Sequence, residues 1–307
     1  MTDEARAAIH IPVLRDEVVD ALGATVSGLF LDCTFGGGGH SRAILDGHAD
    51  NRVVGLDRDL RAITRGKMWQ HEYGDRLELI HGSFSQIEEL VSSRVFDGVL
   101  ADLGMSTDQL YEERGFSFSD QGAFDMRMNE TDGITAAEFV NGASERELYL
   151  ALVKGGVGKN GKQIAQAIQR ARPIATAKEL GEVIRQSQLG KRGESRSHPA
   201  TVVFQAIRIH INREREEIED LLEAAPHIVK SGRRLAIITF HSLEDRIVTS
   251  QLREWESAGT FPASWRGPRE GRQLGRLTTR KPILPSDAEI DRNPASRSAR
   301  LRVFEFM

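Results

Sequence analysis

Short apolar runs alternate with segments of helical period through the first hundred residues, the arrangement expected of parallel strands joined by crossover helices. Four runs predict strands at residues 29–32, 52–57, 77–82 and 96–103, each ending in small, polar or acidic side chains. Between them, 13–22 places Leu14, Val18, Ala21 and Leu22 on one helical face, and 59–73 reads as a second helix. Beyond Gly104 the texture changes: residues 114–128 are rich in Phe, Arg, Asp and Met without a clear period. A glycine-rich joint at 154–161 is followed by helical patterns at 163–172 and 177–186. Phe204, Ile207, Ile211 and Ile218 then predict one long helix over 200–225, and β-like runs at 234–240 and 299–306 return the chain to a sheet. The expected organisation is a sheet domain in two parts, 1–110 and 208–307, with a mostly helical insertion at 111–207.

Composition changes this picture little. With 307 residues, 39% hydrophobic and 28% charged, the chain has ordinary globular usage, which excludes a fibrous repeat or wholesale disorder. No run approaches the roughly 18 uninterrupted apolar residues of a membrane span, and the first residues lack a basic-then-apolar signal pattern. Cys33, the single cysteine, has no partner for a disulfide or a zinc ribbon, so a reducing, cytoplasmic setting without a structural metal is expected. A net charge of −4 leaves polyanion binding to local patches. One stands out: Arg266, Arg269, Arg272, Arg276, Arg280 and Lys281 face a lone acid, Glu270. Charge alone fits a solvated loop and a phosphate-contacting one equally.

The most informative segment runs from Leu31 through Asp32, Cys33, Thr34 and Phe35 into four glycines, then His40 and Ser41. Glycines at the end of a first strand remove bulk where a nucleoside passes close to the main chain. Asp57 ends the next strand, where an acid in Rossmann-like folds accepts hydrogen bonds from ribose hydroxyls. Four consecutive glycines are not the G-x-G-x-x-G spacing, which argues against NAD and toward another adenosine ligand. The third and fourth strand ends add Phe84, a ring for adenine or for the core, and Asp102, a carboxylate at the end of an apolar strand.

Asp32, Thr34, Phe35, Gly36, Gly38, Gly39, His40 and Ser41, with Asp102, Gly104, Ser106, Gln109, Leu110 and the run Arg114, Gly115, Phe116, Ser117, Phe118, resemble the RsmH (MraW) family. These are bacterial methyltransferases acting on the N4 amine of a 16S ribosomal RNA cytidine. Similar strings recur at 125–128, 198–201, 204–206 and 240–246, then at Asn293, Pro294, Arg297 and Ser298, covering nearly the whole chain. The resemblance implies an α/β fold, a Rossmann-like S-adenosylmethionine-dependent methyltransferase sheet with an inserted helical domain. It implies methyl transfer from S-adenosylmethionine to a decoding-centre cytidine, in RNA held in the small ribosomal subunit, and leaves a homodimer open. Cofactor contacts would come from Gly38, Gly39, His40, Asp57, Phe84, Asp102 and Gln109. Substrate-side candidates are Arg114, Phe116, Phe118, His198, His241, Arg246 and Arg297. The sequence departs from the family at Gly37, where an arginine is usual, at Ser231, at Val202 and Val203, and across 154–159.

The N4 amine is a poor nucleophile because its lone pair is delocalised into the ring, so such an enzyme chiefly orients the partners and accepts an N4 hydrogen. Asp102 is the candidate acceptor, and a cofactor hydrogen bond is its competing role. Phe116, Phe118 and Phe124 offer stacking for an unstacked base, with at least one expected in the core. The run from His241 to Arg246 matches neither a zinc-hydrolase nor a serine-hydrolase spacing. Residues 156–163 nearly spell a phosphate loop, but Gln163 replaces the Ser or Thr and no strand pattern precedes them. The alternatives are an amino-methyltransferase on another RNA or on DNA, and a non-catalytic RNA-binding assembly factor. A dehydrogenase is a distant third.

Overall fold

The computed structural model describes residues 12–106, 109, 113–118, 120–187, 199–257 and 273–307. His198, Leu110, Arg266, Arg269 and Arg272 therefore lie outside the described residues. The chain divides into two compact units, one comprising the residues up to Gly104 with Glu217–Met307, the other Met105–Glu216.

The first unit opens with α1 (Arg15–Leu22), β1 (Leu29–Asp32), α2 (Gly39–Gly47), β2 (Arg52–Asp57), α3 (Leu60–Trp69), β3 (Leu77–His81), α4 (Ile87–Leu90) and β4 (Phe96–Asp102). The strands fall where the apolar runs predict, the third and fourth ending one residue earlier. The second unit holds α5 (Ala136–Gly142), α6 (Glu145–Lys154), α7 (Gly161–Ala171), α8 (Ala177–Ser187) and α9 (Pro199–Ile211). The next helix, α10 (Glu214–Ile228), carries the chain back to the first unit, followed by β5 (Val229–Thr239), α11 (Ser242–Ser257), β6 (Gly275–Leu277), α12 (Asp287–Arg292) and β7 (Arg300–Phe306).

The strands form one sheet in the order β3-β2-β1-β4-β5-β7-β6. Pairings from β3 across to β5 are parallel, while β7 runs antiparallel to both β5 and β6. Successive side chains of a strand point to opposite faces, and both faces are apolar here. Leu31, Val54, Val99 and Ile237 join α10 and α11 residues such as Leu221, Val248 and Trp255 in one cluster. Phe30, Val53, Leu100 and Ala236 join Val18, Ile44 and Ile63 in the other. Strand order reverses between β1 and β4, so the carboxyl edge there is the crevice where open α/β sheets take ligands.

In the second unit, Thr135 with Glu138 and Ser144 with Glu147 form capping boxes that start α5 and α6. Phe124, Phe139, Leu148, Ile164, Leu180 and Phe204 are among the residues of its core. A helix, α6, precedes 156–163, so that segment lacks the strand a phosphate loop requires.

The expected single helix over 200–225 is two helices. Arg213 turns left-handed, with φ of 50°. Beside it the buried Asn212 accepts the Met128 N–H at 2.7 Å and donates to the Met126 carbonyl at 2.8 Å. A long-range clip, rather than a Gly or Pro, ends α9. Among the described residues no helix is long and apolar enough to cross a membrane.

Candidate functional site

Four polar groups converge on the carboxyl edge of the parallel strands in the first unit. Asp32, fully buried at the end of β1, accepts the Ser41 hydroxyl at 2.7 Å and the Thr34 N–H at 3.2 Å. Burial pushes this carboxyl above its ordinary range, against the opposing pull of His40, Ser41 and Thr34. Asp57, at the end of β2, accepts the N–H of Gly36 at 2.6 Å and of Asp59 at 2.8 Å. Burial pushes it up to about 6 despite those two donors. A carboxylate has about four lone-pair sites, so Asp57 retains capacity for further donors.

Thr34 links β1 to β4, its hydroxyl oxygen accepting the Asp102 N–H at 2.6 Å. That bond fixes the backbone from which the Asp102 carboxylate projects. His40, in the first turn of α2, is buried, and its Nε2 lies 3.5 Å from Asp102 Oδ2. Neither ring nitrogen of His40 makes a hydrogen bond, and Asp102 Oδ1 makes none either. A buried polar group left without a partner costs about 1–3 kcal/mol, so these atoms suit a ligand that brings its own donors and acceptors.

The glycines serve the loop itself as much as any ligand. Gly38 has φ of 78°, and a Cβ there would strike the Trp69 and Phe35 rings. Those rings stack with centroids 5.6 Å apart, and Arg42 lies 3.6 Å above Trp69. Glycine at 38 is thus required by backbone and by packing together.

Phe84 follows β3, half-buried against the cluster that holds Leu31 and Val54. Its N–H donates to Glu217 of α10 at 2.8 Å, and the Ser85 hydroxyl donates to the same carboxylate at 3.4 Å. On the far side of β4, Glu244 accepts the N–H groups of Phe240 and His241 and begins α11. His241 Nε2 sits 3.0 Å from the other Glu244 oxygen. Asp245 grips Arg302 of β7 at 2.7 and 3.1 Å. Burial alone would raise Asp245, but the Arg302 guanidinium holds it below the usual carboxylate range. Arg246 and Arg297 are exposed.

The second unit holds Gln109, Arg114, Phe116 and Phe118. Arg114 is buried, bonding to the Arg127 carbonyl and lying 3.0 Å from Glu130. Phe116 and Phe124 are core, whereas Phe118 is 42% exposed and meets Phe204 edge-on. Of the basic run after residue 264, Arg276 pairs with Glu305, and Arg280 and Lys281 are exposed. Sequence reasoning gave no role to Thr34, Ser41 or Glu217. Hydroxyls flanking a glycine loop between acidic strand ends were the available signal for the first two. Glu217 had none, because its partners lie 133 residues away.

The MraW methylase family model matches residues 7–307. The chain belongs to the MraW methylase family. Its relatives include proteins named ribosomal RNA small subunit methyltransferase H. One from Cyanothece sp. is 42% identical over 96% of this chain and 94% of its own. One from Zymomonas mobilis is 41% identical over 98% and 92%, and one from Cereibacter sphaeroides 44% identical over 96% and 89%. As a member of the MraW methylase family the chain is a methyltransferase, and S-adenosylmethionine is its methyl donor.

Proposed function

We propose that the chain methylates the N4 amine of a decoding-centre cytidine in 16S ribosomal RNA, working in the cytoplasm on RNA held in the small ribosomal subunit. The observation that carries this reading is the end-to-end match to relatives whose names specify small-subunit ribosomal RNA. Asp57, with lone pairs beyond those taken by Gly36 and Asp59, would hold the ribose hydroxyls of S-adenosylmethionine. The buried, unbonded Nδ1 of His40 fits the same polar ligand. Bound there, S-adenosylmethionine supplies a methyl group already activated on a sulfonium. Phe84, fastened by Glu217, would border the adenine. Gln109 remains a cofactor-side candidate by the family resemblance.

Asp102 Oδ1 would accept an N4 hydrogen, so that the amine lone pair leaves the ring and attacks in line. On the substrate side Phe118 presents an exposed ring for stacking, while Arg114 and Phe116 shape the segment that carries it. The exposed Arg246 and Arg297 suit phosphate contacts. Mass spectrometry of 16S RNA from a strain lacking the gene tests the reading. Loss of decoding-centre N4-methylcytidine, restored by the wild-type chain, is expected. Persistence of that nucleoside would overturn it.

A further inference from the structure

We propose that His40 and Asp102 act as one proton-holding pair, keeping the proton shed by the N4 amine in the site until the spent product is exchanged for new cofactor. The proposal rests on the methyl-transfer reading above and adds to it where the proton goes.

Three observations support it. The His40 side chain is only 6% exposed, yet both ring nitrogens lack hydrogen bonds. Its Nε2 lies 3.5 Å from Asp102 Oδ2, while Asp102 Oδ1 is also buried and unbonded. The other acids of this edge are engaged: Asp32 by Ser41 and Thr34, Asp57 by Gly36 and Asp59 with its remaining lone pairs assigned to the ribose hydroxyls, and Asp59 by the Arg61 N–H that starts α3. The cation on α2, Arg42, is turned to Glu72 at 2.7 Å and to the Trp69 ring. The edge therefore gathers three strand-end carboxylates with two imidazoles, and since His81 is held to the Arg58 carbonyl at 3.0 Å, the pair of His40 and Asp102 is left as an acceptor.

The balance of the transfer explains why retention is favoured. The carbon–sulfur bond breaks with its electron pair staying on sulfur, and the N4 lone pair forms the new nitrogen–carbon bond. The positive charge passes from sulfur to N4 at that moment. N4 then sheds a proton to Asp102 Oδ1, and sharing it with the adjacent imidazole leaves the net charge unchanged. Burial already disfavours negative charge at Asp32 and Asp57, so expelling the proton to solvent would leave a surplus charge in a poorly solvated edge.

Proton linkage of ligand binding tests this without RNA. Calorimetric titrations of the full chain with S-adenosylmethionine and with S-adenosylhomocysteine, near neutral pH in buffers of different ionisation enthalpy, count the protons exchanged. The neutral product should take up about one proton more than the sulfonium cofactor. Asp102→Asn, which preserves shape, and His40→Gln should each abolish that difference. Equal proton counts for both ligands on the wild-type chain, or a difference that survives in both variants, would overturn the pair. Failure of the wild-type chain to bind either ligand would overturn the methyl-transfer reading itself, and the pair with it.

Discussion

Asp57 offers a test in which burial and hydrogen bonding pull in opposite directions. Its carboxylate accepts two backbone N–H groups, yet burial raises it from 3.8 to about 6. In the ligand-free protein the ionised form is therefore disfavoured by about 3 kcal/mol relative to the unfolded chain. Because the folded value is the higher one, the stability from the protonated carboxyl is present in full below the unfolded value and is lost as pH rises through about 6. Ribose hydroxyls donate to a carboxylate, so the cofactor selects the ionised form. Its affinity should hold above about pH 7 and weaken about tenfold as pH falls to about 5. Isothermal titration of S-adenosylmethionine against the full chain, at closely spaced pH values, measures this profile. Asp57→Asn should bind roughly 10- to 100-fold more weakly at neutral pH, the worth of hydrogen bonds to a charged acceptor. The part of the pH dependence centred near 6 should disappear with it. A wild-type profile flat across this window, or the same slope in the Asn variant, would refute the reasoning.

Thr34→Val removes the acceptor of the Asp102 N–H and should cost about 1–3 kcal/mol in chemical unfolding. Its kcat should fall more than its cofactor affinity, with Thr34→Ser restoring both. Gly38→Ala forces a left-handed alanine, worth about 1–2 kcal/mol, onto the Trp69 ring, and thermal denaturation should show a Tm lower by several degrees. Asp245→Asn breaks the two-pronged grip on Arg302 and should destabilise the chain by about 1–3 kcal/mol at neutral pH. The folded pKa of Asp245 is depressed, so its stabilisation is present above the ordinary carboxylate range and lost as pH falls through it. The Tm values of variant and wild type should converge in acid.

The strand framework was legible because each of β1 to β4 is an apolar run ended by Asp32, Asp57, His81 or Asp102. The glycine loop was legible as a loop, but the reason for Gly38 was not. Its left-handed turn is a local property, whereas the Trp69 ring that excludes a Cβ arrives from α3. The same limit explains the broken helix. Nothing between Phe204 and Ile218 reads as a terminator, and the turn at Arg213 depends on Asn212 clasping Met126 and Met128, over 80 residues earlier. Charge type also misleads where burial decides. Arg114 stands among the substrate-side candidates, yet its buried guanidinium is bonded to the Arg127 carbonyl. Glu217, which fastens the Phe84 turn, has an acidic, helical sequence context indistinguishable from a solvated face. The pairing of His40 with Asp102 belongs to the same class, since it exists only once β1 and β4 are neighbours.

Methyl transfer followed directly is the decisive measurement. The purified chain would be incubated with S-adenosylmethionine labelled in its methyl group, using 30S subunits, free 16S RNA and DNA as separate acceptors, and the labelled nucleoside mapped. The account predicts label in N4-methylcytidine at one decoding-centre position, in 30S subunits above the other acceptors. Label on another atom or in DNA, or no transfer to any ribosomal RNA by a chain that binds the cofactor, would contradict it.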